Sequence, residues 1–325
     1  MAAQNISSTV IFAADKMCAP ASPAHSQCWG VPDSWMLPST FGPDADQGDV
    51  HKHHRARWLN SGTVIGPVSE VREIFAAAQE RNEHEHATDS DQYYFGIIYG
   101  LQAYGRRMAK LARDTAMGLD TTAEREFLKP QQADPNKKWM PTIPGRTEYS
   151  IGLDFSSAVF QTAGFYADYI SWIRNNVSSQ YVRQGSLSGN YHHHFAVQDD
   201  LVGKGPGALH AGIDAAMKQW SSLPLATNTA SRNVAPVFHV NGKKCYRTLW
   251  WPRMWWFPYA EQIWNALQDT ATEGTGKSLK AHQGAWTFNH EGHGWVDWKD
   301  VCGKFEEPLM GKSPNPEPCS GHYEA

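Results

Sequence analysis

The chain lacks any long hydrophobic run. Its apolar stretches fall short of the ~18 residues a membrane-spanning helix needs, so no transmembrane segment is predicted. It also lacks an excess of positive charge. Lys and Arg number 29 against 33 Asp and Glu, a net charge of −4, which argues against a nucleic-acid-binding surface. No basic segment followed by an apolar core opens the chain, so no secretory signal is read there. No internal repeat is visible, and 325 residues are enough for one large core, or one core plus a small appendage.

Cysteine is sparse, with five in all. Cys18 and Cys28 lie close in sequence, as do Cys302 and Cys319, each pair spanning a polar, Pro-containing segment. That spacing fits two disulfides in a secretory lumen with Cys245 left free; five reduced thiols in the cytosol is the other reading. The sequons at Asn5 and Asn176 fit the lumenal reading. A lumenal protein needs a targeting segment, so the expectation is that a preceding N-terminal part lies outside this sequence. Tryptophan is abundant at 14, and most of it is expected in the core.

The order of elements predicts an α/β fold. Residues 7–14 read as a short buried strand and 17–57 as a Pro/Gly/His-rich loop region. A strand is expected over 58–66. After Pro67 a helix covers 68–81, with apolar residues at 68, 71, 74, 75 and 78. A second helix is expected over 89–103 with Asp89 as its N-cap. Residues 117–147 read as a loop, 151–160 as a strand running into a helix near 162–174, and 176–210 as loop. A helix near 207–220, a last strand at 234–240 and a helix within the aromatic stretch 248–267 follow. The expected domains are 1–267 and a polar, Cys-containing tail, 268–325.

Four short strings carry the chemistry: FAAD at 12–15, LNSG at 59–62, SDQ at 90–92 and FHVNG at 238–242. Each has an apolar lead-in and then polar residues, as when strands or helices deliver side chains to one cleft. His239 ends a strand beside Gly242, Lys243 and Lys244, a set suited to a metal-held diphosphate: imidazole takes Mn²⁺ and Lys offsets phosphate charge. Asn60 and Ser61 emerge beside Gly62 and could meet sugar hydroxyls; a β-bulge is the plain alternative. Asp91 and Gln92 sit at a helix start, where Asp91 could cap the helix or stabilise an oxocarbenium-like centre. Asp15 lies just past a strand, where open α/β sheets place ligands, and could equally be a turn residue.

In this order the strings resemble the retaining glycosyltransferases of the GT-A fold, near glycogenin and the glycosyltransferase domain of collagen lysyl hydroxylases and galactosyltransferases. The resemblance covers about residues 8–260. It runs through FAADKMCAP, Asn60-Ser61-Gly62, Asp91-Gln92, IGLDFSSAVFQT with Asp154, and His239-Val240-Asn241-Gly242. The WWPRMWWFPY stretch looks most like fungal members of the group. The resemblance implies a mixed sheet flanked by helices and transfer of a hexose from a UDP-sugar, with Mn²⁺, to a protein or glycan hydroxyl in the ER or Golgi lumen. It implies that His239 ligates the metal and that Asp91 and Gln92 lie by the transferred sugar. Asp15, Asn60, Ser61, Gly62, Asp154, Gly242 and Lys243 would line the donor site.

The chain departs from the family in two places. The family's lysine lies three positions after the glycine, where this chain has Cys245. The family's acidic pair, DxD or DxxD at a strand end upstream of FAAD, has no counterpart. Asp44 and Asp46 form a local match, but in a Gly/Pro-rich loop. The expectation is therefore a GT-A-like domain without its nucleotide-binding half, inactive alone. A non-catalytic pseudoenzyme or sugar-binding protein on the same scaffold is the rival. The histidine runs at 51–54, 84–86, 191–195 and 290–293 read as solvated loops rather than a zinc hydrolase site.

Overall fold

The computed structural model describes residues 8–21, 25–85, 90–132, 146–174, 181–183, 192–194, 223–243, 245–260, 284–289, 292–297 and 300. These form a mixed α/β protein. The chain divides into two compact units, one made of residues up to 167 with 233–241, the other of 168–232 with 242 onward.

The first unit is built on strand β1, Val10–Asp15. Its residues are β-branched or small and apolar, and Val10, Phe12 and Ala13 are fully buried. A disulfide joins Cys18 to Cys28 at the end of the short helix α1, Ser26–Trp29, as the spacing predicts. Strand β2, Trp58–Ile65, runs antiparallel to β1. Helix α2, Val68–Glu85, follows Pro67, and helix α3 spans Asp91–Ala116. The N-cap of α3 is Ser90 rather than the expected Asp89. Its first half is apolar all round, and Tyr94 through Gln102 are buried. Phe95 packs on Phe12 and on Phe75 of α2 at ring separations of 5.6 and 4.8 Å. At Gly100 the chain comes so close to α1 that a Cβ would lie 2.7 Å from the Gln27 backbone, so glycine is required.

Helix α4, Thr122–Gln132, occupies part of the region read as a loop. Asp120 caps its first turn by accepting from the Thr122 N–H and hydroxyl. Strand β3, Ile151–Asp154, runs parallel to β1 and completes the order β2-β1-β3. The expected ten-residue strand stops there. Asp154 takes the amides of Ala158, Val159 and Phe160 at 2.7–2.9 Å and folds the chain into a turn. Strand β4, Phe160–Thr162, then pairs in parallel with a later segment.

The second unit corrects the helix expected near 162–174. A single helical turn, Ala167–Tyr169, gives way to strand β5, Ile170–Arg174. β-branched and aromatic residues there favour a half-buried strand. Strands β6, Tyr181–Arg183, and β7, His192–His194, pair within the region expected to be loop. Strand β8, Pro224–Asn228, pairs antiparallel with β5. Strand β9, Val237–His239, belongs to the first unit as the partner of β4. Helix α5, Cys245–Trp250, and two short helical turns, Trp251–Arg253 and Phe257–Tyr259, occupy the start of the aromatic stretch; the helix expected after its prolines extends into 261–267, outside the described residues. Strands β10, Gly284–Asn289, and β11, Gly292–Asp297, form a hairpin in the segment read as tail. Cys245, expected to be a free thiol, is itself disulfide-bonded. The helix near 207–220 and the cysteines at 302 and 319 lie outside the described residues. No described helix is long and apolar enough to cross a membrane.

Candidate functional site

The four strings meet in the first unit. β1 ends at Asp15, in register with Trp58 of β2. One step along β1, from Phe12 to Ala13, spans the step from Val64 to Asn60 on β2. Ser61, Gly62 and Thr63 therefore loop out of the ladder as a bulge. Such a bulge re-aims side chains that a regular strand would commit to its two faces. The bulge and the ligand-facing reading of LNSG are compatible, because the loop-out brings Ser61 to the start of α3.

Asp15 is the centre of the buried part. Its Oδ1 accepts the Lys16 N–H at 2.7 Å. Its Oδ2 accepts the side-chain amides of Asn60 at 3.1 Å and Asn241 at 3.2 Å. Both amides are fixed in orientation. The Asn60 oxygen takes the Gly62 N–H at 3.0 Å, and the Asn241 oxygen takes the Gly164 N–H at 2.6 Å. Each Asn can thus offer Asp15 only its NH₂ group. Burial pushes the Asp15 carboxyl above its usual range, against the lowering effect of these donors and of the Lys16 charge.

Lys16 is fully buried. Its Nζ donates to the Lys52 carbonyl at 2.6 Å and lies over the rings of Phe41 and Tyr166, at 4.1 and 4.2 Å from their centroids. A desolvated ammonium is tolerated because these aromatic faces and the adjacent carboxylate surround it. Sequence reasoning missed Lys16 and Asn241 as site residues. The only signals available were that Lys16 follows FAAD directly and that Asn241 sits within FHVNG.

The accessible part is made by Ser61, Gly62, Asp91 and Gln92. Asp91 is exposed in the first turn of α3, where the helix dipole favours negative charge. The Ser61 hydroxyl donates to Asp91 Oδ1 at 3.0 Å. Gln92 accepts the Ser61 N–H at 3.3 Å and donates to the Ala19 carbonyl at 2.6 Å, so its amide braces the bulge against the disulfide-closed segment. The His239 ring lies directly on Gly62: a Cβ there would fall 1.9 Å from His239 Cε1. That glycine is required by the imidazole.

Asp154, whose carboxylate is committed to the turn after β3, is a structural residue. Gly242 and Lys243 fall in the second unit, and Lys244 lies outside the described residues. Asp46 is engaged by the backbone N–H and guanidinium of Arg55, so the Asp44/Asp46 pair is no substitute metal site. His51 and His54 face each other through their Nδ1 atoms at 3.3 Å. For Mn²⁺, His239 stands alone as a candidate ligand. Among the described residues no three His, Cys, Asp or Glu gather, whereas Mn²⁺ requires several hard donors. The described residues therefore supply no complete ligand set for the ion.

What the arrangement offers is a buried carboxylate held by three donors under a polar rim. One exposed carboxylate, one hydroxyl and one imidazole lie around a glycine. Comparison with known proteins adds no relative: no family model, no curated protein and no solved structure matches the chain.

Proposed function

We propose that this chain is a hexosyltransferase of the GT-A type, using a UDP-sugar as donor and a glycan or protein hydroxyl as acceptor. One observation carries the reading. Asp15, Asn60, Ser61, Gly62, Asp91, Gln92 and His239, seven of the ten residues chosen from the sequence as one site, are linked by contacts within one unit, with Asn241 joining them; Asp154, Gly242 and Lys243 are not part of that set of contacts. In this reading the Ser61 hydroxyl and the exposed Asp91 carboxylate face the transferred sugar. Asp91 offsets the positive charge that develops at the anomeric carbon. Gln92, Asn60 and Asp15 position that rim rather than touch the sugar. The Cys18–Cys28 disulfide supports an oxidising compartment, the ER or Golgi lumen or the exterior.

A second reading, a non-catalytic sugar-binding protein on this scaffold, is favoured by the internal use of Asp15 and Gln92 and by the lack of a three-residue metal-ligating group among the described residues. Calorimetric titration of the chain with UDP-glucose and UDP-galactose, with and without Mn²⁺, tests both, together with an assay of UDP release. Saturable binding that Ser61→Ala and Asp91→Asn weaken at least about tenfold supports the site. Release of UDP supports the transferase, and binding without release supports the second reading. No binding of either donor overturns both.

A further inference from the structure

The second unit contains a cleft of about 950 Å³ that the donor site does not use. One wall is the β5–β8 ladder, with Trp172 in register with Ala226. The other is the aromatic stretch after α5, whose prolines break the helix into single turns and so face Pro252, Met254, Trp255 and Tyr259 onto the opening. This is the WWPRMWWFPY segment, and the proposed transferase gives it no task.

Three features define what the cleft would take. Its lining is mostly apolar and aromatic, which selects a ligand with an apolar or flat body. Among the described residues the lining holds one formally charged side chain, Arg253, and no carboxylate. Arg253 is exposed, lies 5.3 Å over the Trp172 ring, and has no acidic partner among the described residues. The Trp172 indole N–H is buried and has no acceptor among the described residues. A buried donor of this kind gains stability once something accepts from it. A cation would meet Arg253 and find no counter-charge. A neutral sugar would find few hydrogen-bonding side chains.

We propose that this cleft binds an amphipathic organic anion, a carboxylate or sulfonate on an aromatic or aliphatic body. The anionic group pairs with Arg253, and the body lies against Met254, Trp255 and Tyr259. The site is independent of the sugar-nucleotide reading, and neither probe below is a nucleotide.

The test is a fluorescence titration of the full chain with 8-anilinonaphthalene-1-sulfonate and its uncharged counterpart N-phenyl-1-naphthylamine. The sulfonate should bind at one site per chain, about tenfold more tightly than the neutral probe at low salt. Arg253→Gln should abolish that preference and leave the neutral probe unchanged. Arg253→Lys should retain part of it, and Trp255→Ala should weaken both probes. Near-UV circular dichroism checks that each variant is folded; Arg253, being exposed, is the substitution least able to disturb the core. Equal affinity for the two probes overturns the proposal. So does a preference that survives Arg253→Gln, several equivalent sites, or no binding.

Discussion

Asn241 holds two segments at once, with its oxygen on the Gly164 amide and its NH₂ on Asp15. Asn241→Ala should therefore leave a backbone N–H and a carboxylate lone pair unmatched. It should destabilise the protein by about 1–3 kcal/mol, measured by urea unfolding. Asp15 itself predicts a pH dependence. Its folded pKa is raised by burial above the unfolded value of 3.8. Its stabilising share is thus complete below pH 3.8 and is lost as pH rises through the folded pKa. Subtracting the stability curve of Asp15→Asn from that of the natural chain should give a difference that declines with rising pH over that window and is flat above it. A flat difference throughout would show that the carboxyl is not perturbed. Lys16 belongs to the same scale. A lysine reads from sequence as a solvated residue, and only Phe41 and Tyr166, distant in the chain, make it a buried one.

Among the elements, α3 does more than pack. Gln102, nearly fully buried, accepts the Tyr149 and Ile151 amides and donates to the Ile151 carbonyl. It behaves as a short length of strand edge that starts β3. Gln102→Met keeps the volume and removes these bonds. It should cost at least about 2 kcal/mol and raise amide exchange at 149–153, readable by hydrogen-exchange mass spectrometry. The elements legible in the sequence were those written in local pattern: β1, β2, α2 and α3 each carry a local apolar run or stripe. Those misread depend on partners. The run from 151 breaks because Asp154 captures three amides. The segment from 170 is a strand because β8 pairs with it. Helix α4 was hidden by a polar, Pro-containing surround.

Across the whole molecule, covalent closure matters as much as packing. The Cys18–Cys28 link has a sequence separation of 10, for which loop closure alone contributes about 3 kcal/mol. Replacing both cysteines by serine should lower unfolding stability by about that amount and loosen Gln92, whose amide grips the Ala19 carbonyl inside the loop. Unchanged stability would place the effect in strain of the folded state. Sequence proximity predicted this pair correctly and assigned Cys245 wrongly. Neighbouring cysteines close easily, whereas Cys245 has no close neighbour in sequence to suggest that it is bonded. The candidate site followed the same logic: its strings could be named one by one, but their contacts are properties of the assembled unit.

The first unit is left after Ala167 and regained at Asn233, and that return brings β9, His239 and Asn241. A nascent chain that has passed only residue 167 holds Asp15, Asn60 and Asp91 without their last companions. At about 5–20 residues per second, the ribosome takes roughly 4–15 s more to reach residue 241. Until then β4 has an unpaired edge and Gly62 faces no imidazole. Assembly of the rim is thus timed by synthesis of a segment that lies beyond a large part of the other unit.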